Sequence, residues 1–476
     1  MRSRSPLAWV SVVAVLAGCA GPRPPAPPDA AVTPPTAWRT PVSQAAAEVS
    51  AAWWEGFGDP GLTRIVATAL ANNDDVKIAA ARVEEFIGQA DLARAQRMPR
   101  VDGAVVLERE RSINPGFGFP ETQTISEPAI TMSFDADLFG RLRAASAAAR
   151  ASLLATRAAQ ADVQLLVAAT AARQWFTLRS LDARLATLKA TLDARSQTLA
   201  LVRRRVGVGY AAQLDLAQAD AEYRATEQQI PGTELAIRRT ENALCLLLGR
   251  NPGPIDRGDQ AFEPTLPVIP AAMPSALLRR RPDIVEAEER LVAADRTLDA
   301  SRAAFMPDLQ LSANFGRVTT SLIERDPISV FTLGASVLAP IFDAGRLKAQ
   351  QDSSAARRNE AAFAYRKSAL TAFSDVENAL SATQRLQEQL DSLVAQKSAL
   401  ERTLAIASQR YKAGYSTFLD QLDAQRGLLS VQLALSQTRA DQMNAYVTLF
   451  QALGGGWDRA RIDASTQAAK TPPAGS

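Results

Sequence analysis

The chain has 476 residues, of which 47% are hydrophobic and 22% are charged, a composition typical of a folded protein and not of a helical membrane protein. Its 53 Lys and Arg residues nearly balance 50 Asp and Glu residues, so the net charge of +3 gives no indication of a nucleic-acid partner. The sequence contains no histidine, the commonest general base and neutral metal ligand, which argues against an enzyme and against a metal site.

The N-terminus has the layout of a bacterial export signal. Two arginines precede an apolar stretch at residues 7–16, and the stretch ends in Leu16-Ala17-Gly18-Cys19. These four residues resemble the lipoprotein box, in which the cysteine is lipidated and becomes the mature N-terminus. The resemblance implies a signal peptide at residues 1–18 and a covalent lipid on Cys19. The alternative is an ordinary cleavage site with a coincidental cysteine.

Proline dominates the next segment. Residues 21–41 cannot propagate a helix, so we expect residues 19–45 to form the lipidated cysteine and an extended, polyproline-like tether between the anchor and the body. At the other terminus, residues 458–476 offer little to bury and are expected to be mobile. The second cysteine, Cys245, lies in an apolar run and is predicted to be a buried, inert thiol.

The body of the chain is an internal duplication, which we divide into residues 46–257 and 258–457. Early landmarks recur 208 positions later, for example Met98-Pro99 as Met306-Pro307. Late landmarks recur 205 positions later, for example Gly209-Tyr210 as Gly414-Tyr415. The region between these blocks is therefore three residues shorter in the second half.

Each half contains one long stretch without Gly or Pro, at residues 141–206 and 346–413. Either stretch predicts a helix on the order of 100 Å long. Leucines at heptad spacing indicate coiled-coil packing, with Arg195 interrupting the first seam and Lys397 the second. A glycine turn and a returning helix follow each stretch, which gives two antiparallel hairpins. Shorter helices are predicted at about 60–97 and 273–305.

Four segments between the helices alternate with period two, which predicts β-strands of about ten residues, the length of a tilted transmembrane strand. They lie at 101–110, 130–138, 309–315 and 329–339. The polar connections 112–128 and 318–328 are predicted to be cell-surface loops. Four strands cannot close a barrel, and lipid does not tolerate an open edge, so the strands must be shared among copies. Two copies would give a filled interior, whereas three or more would give a lumen.

Several motifs resemble the TolC family of outer-membrane factors, in the lipoprotein branch that serves resistance-nodulation-division pumps. The resemblance covers nearly all of the mature chain and includes these segments: Trp53-Trp54 with Phe57-Gly-Asp-Pro60; Pro274-Ser-Ala-Leu-Leu-Arg-Arg-Arg-Pro-Asp-Ile284; Ala303-Ala-Phe-Met-Pro307; Arg410-Tyr411 with Gly414; Leu422-Asp-Ala-Gln-Arg426; and Ala452-Leu-Gly-Gly-Gly-Trp457.

This resemblance implies a mainly α protein with a small β part: a long antiparallel α-helical barrel plus four transmembrane β-strands per protomer, hence a 12-stranded β-barrel in a homotrimer. It implies a lipid-anchored position in the Gram-negative outer membrane with the helices in the periplasm. The implied partners are a periplasmic adaptor and an inner-membrane pump of the resistance-nodulation-division class, besides outer-membrane lipid. No cofactor other than the Cys19 lipid, no metal and no catalytic residue is expected.

By the same resemblance, Leu419, Asp420, Asp423 and Arg426 match positions of the family's periplasmic aperture. The two acids and the arginine are spaced three apart, on one face of a helix. Three-fold symmetry would place six carboxylates around one axis. In the alternative interpretation, Thr417 and Asp420 form a capping pair and the acids simply complement a helix N-terminus.

The turns that end the two long helices resemble the family's adaptor-contacting tips, here Val206, Gly207, Val208, Gly414 and Tyr415. The alternative interpretation is plain C-capping by glycine and basic residues.

For the whole chain, an efflux duct for drugs or other small molecules is the first hypothesis. A lipid-anchored coiled-coil scaffold without a pore, and the outer-membrane component of a type I protein secretion system, are the alternatives. The sequence carries no nucleophile motif, which argues against an enzyme of the cell envelope.

Overall fold

The computed structural model describes residues 23–40, 49–113, 116, 118–258, 265–270, 273–321, 327–457 and 459–460. The predicted signal peptide and Cys19 lie outside these residues, and so does the predicted tail except for residues 459 and 460. Nine helices occur in the described residues: α1 Pro60–Asn72, α2 Asp74–Ala95, α3 Arg141–Gly207, α4 Gln213–Glu227, α5 Gln229–Leu247, α6 Pro274–Arg280, α7 Pro282–Ala303, α8 Arg346–Lys412 and α9 Phe418–Ala452.

The two long helices predicted from the sequence are present as α3 and α8, each 67 residues long. The chain divides into two compact units, and both long helices contribute to each of them. Unit 1 comprises residues 1–31, 82–157 and 286–367, and unit 2 comprises residues 32–81, 158–285 and 368–476. Among the helices of the described residues, none combines the length and apolar character that a membrane-crossing helix needs.

Three of the predicted helices are broken, each for a local reason. The first short helix ends at Asn73, whose side-chain oxygen accepts the Asp75 and Val76 amides and thereby starts α2. The second breaks at Arg281, whose backbone is extended because Pro282 follows it. The returning helix of the first half stops at residue 227, because the ring of Pro231 excludes the carbonyl four residues earlier. The second half has no proline there, and α9 runs unbroken.

Unit 1 contains one antiparallel sheet in the order β1-β2-β3-β4, formed by Arg100–Ile113, Pro120–Asp135, Asp308–Thr320 and Ile328–Leu338. The strands span 14, 16, 13 and 11 residues, so the sequence pattern underestimated the first three. The predicted loops 112–128 and 318–328 were correspondingly too long. Residues 120–128 are polar on both faces and give no alternating signal, yet they pair with β1 from Ile113 to Val105. In the other direction β2 ends at Asp135, not at residue 138.

The strand register separates an apolar face from a polar face, because directly paired residues of antiparallel strands lie on the same side of a sheet. Phe315 pairs with both Ile130 and Phe331, and the rings of Phe315 and Phe331 stack 6.4 Å apart. The apolar side chains of this face are Val101, Val105, Leu107, Ile130, Met132, Phe134, Leu309, Leu311, Phe315, Phe331, Leu333 and Val337. The opposite face carries Asp102, Thr131, Ser133, Gln310, Ser312, Asn314, Thr332 and Ser336.

Apolar side chains on the first face are exposed in the single chain; Leu107 is 75% and Phe331 72% accessible. A large exposed apolar surface of this kind marks a contact with lipid or with another protein.

The proline-rich segment is not a free spacer over its described part. Within unit 1, the Arg358 guanidinium donates to the carbonyls of Pro24 and Pro25 at 2.9 Å each. Within unit 2, Trp38 packs against the core around Leu277, and the Thr40 amide donates to a carboxylate oxygen of Glu377. Proline has no N–H, so an extended proline segment leaves its carbonyls free for such donors.

The core of unit 2 explains several of the family motifs. Arg281 donates to Asp283, to Asp375 of α8 and to the carbonyl of Ala452 at the end of α9, and so ties three helices together. Burial and the charge of Asp283 raise the pKa of Asp162 to about 6, against the opposing effect of Arg281. Gly454 has φ of 88°, and a Cβ there would lie 2.1 Å from the Arg280 carbonyl oxygen, so only glycine fits.

Asp59 joins the start of α1 to the buried Trp175 of α3. One carboxylate oxygen caps α1 by accepting the Gly61 amide at 2.8 Å, and the other accepts the indole N–H of Trp175 at 2.8 Å. Trp175 is fully buried. The buried Cys245 donates its thiol to the Gly253 carbonyl, which confirms the burial predicted for it.

Replacing Asp59 with Ala should therefore destabilise unit 2 by about 2–4 kcal/mol, the loss of a helix cap together with an unpaired buried N–H. Asp59→Asn should lie between Ala and wild type, because an amide offers one acceptor oxygen where the carboxylate uses two. Asp74→Ala, at an exposed first-turn acid of α2, is the control and should change stability by less than about 0.5 kcal/mol. Thermal unfolding of the detergent-solubilised protein measures the relative stability of these variants. An equal loss of stability in Asp59→Ala and Asp74→Ala would contradict the prediction.

Candidate functional site

The candidate site lies in unit 2, where the two helical hairpins end. Side chains from α3, α4, α8 and α9 form one small apolar cluster there, centred on Val202, Tyr411 and Phe418. Leu199, Ala219 and Leu422 complete its buried part. The four helix ends therefore share a core, and residues on their outer faces are held in fixed relation to one another.

The predicted aperture residues lie together on the first turns of α9. Leu419, Asp420, Asp423 and Arg426 are all exposed, and Leu419 is 47% accessible. Residues on the other side of the same turns are buried, among them Phe418 at 2% and Leu422 at 1% exposed. The helix thus presents one polar, accessible face that carries two acids and one arginine.

The structure supports the capping interpretation of the α9 N-terminus only in part. Thr417 occupies the N-cap position of α9, but its side chain makes no capping hydrogen bond within the described part of the chain. Asp420 does lie in the first turn, where a carboxylate complements the positive end of the helix dipole. The Thr417–Asp420 pair is therefore not a reciprocal capping box.

Arg426 is linked to the first hairpin. Its guanidinium contacts Glu222 of α4 at 2.6 Å through Nη2 and at 2.7 Å through Nε. The contact to Asp423, one turn away on α9, is longer at 3.6 Å. The hydrogen bond and charge of Glu222 raise the pKa of Arg426, so this contact stabilises the positively charged guanidinium.

Glu222 also pairs with Arg195 of α3, which is 5% exposed. The two side chains approach to 2.9 Å, and Arg195 further donates to the Glu222 carbonyl and to the Thr226 hydroxyl. Burial lowers the pKa of Arg195, although the Glu222 charge opposes that shift. One carboxylate therefore joins a buried arginine of α3 to an exposed arginine of α9, and we call Arg195, Glu222 and Arg426 the inter-hairpin network.

Glu222 and Thr226 were missed by sequence reasoning, and Arg195 appeared only as an interruption of the heptad seam. The available signal was that interruption, because a charged residue at a core position needs a buried partner. In the second half, Leu400 is equivalent to Arg195 and Gly427 is equivalent to Glu222. A Cβ added at Gly427 would lie 3.1 Å from the Leu400 side chain. The buried Arg195–Glu222 pair of the first half thus has no counterpart in the second half.

The predicted adaptor-contacting residues occupy the two helix tips. Gly207 is the last residue of α3, and Val208 after it is 68% exposed. Gly414 has φ of 80°, and Tyr415 beside it is 78% exposed. The partly buried Val206 packs against the apolar cluster around Val202, Tyr411 and Phe418. Glycine does supply the left-handed turn of a C-cap, as the alternative interpretation requires, yet that role does not account for two exposed apolar side chains.

Within the described ranges, no group of three or more His, Cys, Asp or Glu side chains is placed to hold a metal ion.

Comparison with known proteins matches both halves of the chain to one protein family. The family model described as outer membrane efflux protein matches the chain twice, over residues 65–250 and 273–455. The matched segments begin 208 residues apart and end 205 apart, the separations seen for the repeated landmarks.

Relatives with similar sequences are outer-membrane proteins of export systems. The pyoverdine export outer membrane protein OpmQ of Pseudomonas putida is 34% identical over 443 residues, which cover 91% of this chain and 94% of that protein. The toluene efflux pump outer membrane protein TtgI of Pseudomonas putida is 33% identical over 409 residues, or 85% and 87% of the two chains.

Solved structures agree with the sequence comparison. The outer-membrane channel OprN superposes with a TM-score of 0.85 at 27% identity, covering 92% of this chain and 99% of OprN. The open state of the Neisseria gonorrhoeae MtrE outer membrane channel gives a TM-score of 0.81 at 27% identity, with 92% and 98% coverage. In agreement with the resemblance to TolC-family factors, this chain belongs to the outer membrane efflux protein family.

Proposed function

We propose that this chain is one subunit of a passive outer-membrane duct in a tripartite efflux system, built from three identical copies. The observation that carries the proposal is the four-stranded sheet with one apolar and one polar face, in a chain whose two halves both match the outer membrane efflux protein family. The apolar face suits lipid, and the polar face suits a water-filled lumen.

The number of strands requires several copies. β1 and β4 are the edges of the sheet, and their outward main-chain groups lack strand partners within the described single chain. Lipid leaves such groups without hydrogen bonds, which makes an open edge unstable there. Pairing β4 of one copy with β1 of the next satisfies both edges, and three copies give twelve strands and a lumen.

The substrate class we propose is small organic molecules, including drugs. Two relatives are named for pyoverdine export and for toluene efflux, and both are outer-membrane components. A periplasmic adaptor and an inner-membrane pump of the resistance-nodulation-division class would open the duct and supply the energy. The exposed Val208 and Tyr415 at the helix tips suit an adaptor contact, since apolar side chains at an accessible tip favour a protein partner.

The aperture in this proposal is closed by Leu419, Asp420, Asp423 and Arg426 of each copy. Their exposure on one face of α9 supports the assignment. The inter-hairpin network supports it further, since Glu222 holds Arg426 at a fixed position beside the two acids.

Deletion of the gene, followed by growth on a panel of antibiotics, solvents and siderophores, tests the proposed function. We expect raised sensitivity or reduced export for at least one small organic compound, restored by the wild-type gene. An adaptor protein should crosslink to a thiol probe placed at Tyr415. A deletion strain with unchanged export of all small compounds but defective protein secretion would favour the type I alternative instead.

The lipid anchor is a separate proposal, because Cys19 lies outside the described residues. We expect Cys19→Ser to abolish incorporation of labelled palmitate. Cys245→Ser, which changes the buried thiol, is the matched control and should keep full labelling. Unchanged labelling of Cys19→Ser would exclude Cys19 as the modified residue.

A further inference from the structure

The two helix tips of one chain are joined by Arg205, near the end of α3. Its guanidinium donates to the main-chain carbonyls of Tyr411 and Lys412 at 3.2 and 3.0 Å. It also lies over the Tyr411 ring, 4.9 Å from the ring centroid. These carbonyls belong to the last residues of α8, where no further turn of the helix follows, so Arg205 caps the C-terminus of α8. The Tyr411 carbonyl also accepts the Gly414 amide at 3.1 Å, and a carbonyl oxygen has two lone pairs, so it can accept both donors.

The two tips have the same backbone geometry. The Tyr210 amide bonds to the Arg205 carbonyl at 2.8 Å, and the Tyr415 amide bonds to the Arg410 carbonyl at 2.8 Å. Gly209 and Gly414 both have φ of 80°. The sequence separation of 205 therefore pairs Arg205 with Arg410, Tyr411 with Val206, and Lys412 with Gly207.

Arg410 has no equivalent role inside the chain. It is exposed, and within the described residues its guanidinium makes neither hydrogen bond nor ion pair. The carbonyls that correspond to those capped by Arg205 are those of Val206 and Gly207, at the C-terminus of α3. The junction between Arg205 and the C-terminus of α8 is thus complete in the single chain. The equivalent second junction would join Arg410 to the C-terminus of α3.

In a closed ring, the tip of the second half meets the tip of the first half in the next copy. We propose that Arg410 of each copy donates to the main-chain carbonyls of Val206 and Gly207 in the neighbouring copy, and so forms the junction between copies at the tips. The proposal rests on the ring of identical copies in the proposed function. Because Val206 has no ring on which Arg410 could stack, the junction between copies is weaker than the junction within a copy.

Crosslinking with a short bis-maleimide distinguishes the two junctions. An arginine side chain spans each gap, so paired cysteines would be too far apart for a disulfide, and a spacer is required. The test variant is Arg410→Cys with Gly207→Cys, and the matched control is Arg205→Cys with Lys412→Cys. A Cβ at Gly207 meets nothing within 4 Å, and both Arg410 and Lys412 are exposed, so the variants should fold.

We expect the test variant to give covalently linked dimers and trimers on denaturing gels. The control should lose its free thiols and still migrate as a single chain on denaturing gels, because its link closes within one chain. A trimeric test variant that gives no link between copies, while the control reacts, would overturn the proposal. Absence of trimer in the untreated wild-type protein would instead reject the proposed function on which this inference rests.

Thermal dissociation provides a second measurement. Arg410→Ala should lower the temperature at which the assembled trimer separates into single chains. Arg410→Lys should not restore it, because an ammonium group cannot donate in parallel to two carbonyls as a guanidinium does. Dissociation of Arg410→Ala at the wild-type temperature would contradict the proposed contact.

Discussion

Replacing Glu222 with Gln is expected to raise the bilayer conductance of the duct several-fold and to destabilise the tip region. Glu222 is the only acid in contact with both Arg195 and Arg426 among the described residues. Removing one partner from a buried ion pair costs about 3–5 kcal/mol, and Gln retains only part of the hydrogen bonding. Without this carboxylate, Arg426 is no longer held to α4, and the acid-bearing face of α9 is free to move.

Glu227→Gln is the matched control for this variant. Glu227 lies on the same helix and pairs with Arg224 at 2.8 Å, but both side chains are largely exposed. Exposed pairs of this kind contribute about 0–1 kcal/mol, so conductance and stability should remain near wild type. Single-channel recording and thermal unfolding of both variants measure the contrast. Identical conductance of Glu222→Gln and wild type in assembled channels would reject the network as a restraint on the aperture.

The double substitution Asp420→Ala with Asp423→Ala is expected to raise ion conductance as well, by a different route. In the proposed trimer these positions would bring six carboxylates around one axis, where we expect them to attract and retain cations. Alanine removes both the side-chain bulk and the charge, which widens the aperture and removes the cation site. Block of the current by divalent cations should weaken by about tenfold, equivalent to about 1.4 kcal/mol of binding.

The first half of the chain supplies the control for the acidic face. Asp215 and Gln218 occupy the positions equivalent to Asp420 and Asp423, so Asp215→Ala with Gln218→Ala changes the same places in the other hairpin. Because that hairpin carries one acid and not two, we expect little change in divalent block. Unchanged conductance of Asp420→Ala with Asp423→Ala in a correctly assembled trimer would exclude these acids from the aperture.

The long helices and the strand positions were predictable because their signals are local. Heptad leucines and the absence of Gly and Pro predicted the ends of α3 and α8 to within one residue. Period-two alternation located all four strands. It failed at residues 120–128, where neither face is apolar and where pairing with β1, a contact distant in sequence, defines the strand.

The candidate site was predictable only in part, for a physical reason. Asp420, Asp423 and Arg426 share a helix face because of their spacing, and that face is indeed exposed. Glu222 lies 204 residues from Arg426 along the chain, and no periodicity reports a contact of that separation. The docking of the proline-rich segment was likewise not predictable, since it depends on where Arg358 lies in the folded protein.

Counting the copies in the purified particle is the direct test of the proposed duct, because the described residues of one chain provide four strands in a sheet with two edges. Native mass spectrometry of detergent-solubilised protein should show a particle of three chains that requires detergent to remain dispersed. A particle of one chain, stable in water without detergent and with the apolar side chains of Leu107 and Phe331 protected from solvent, would contradict the proposed trimeric duct.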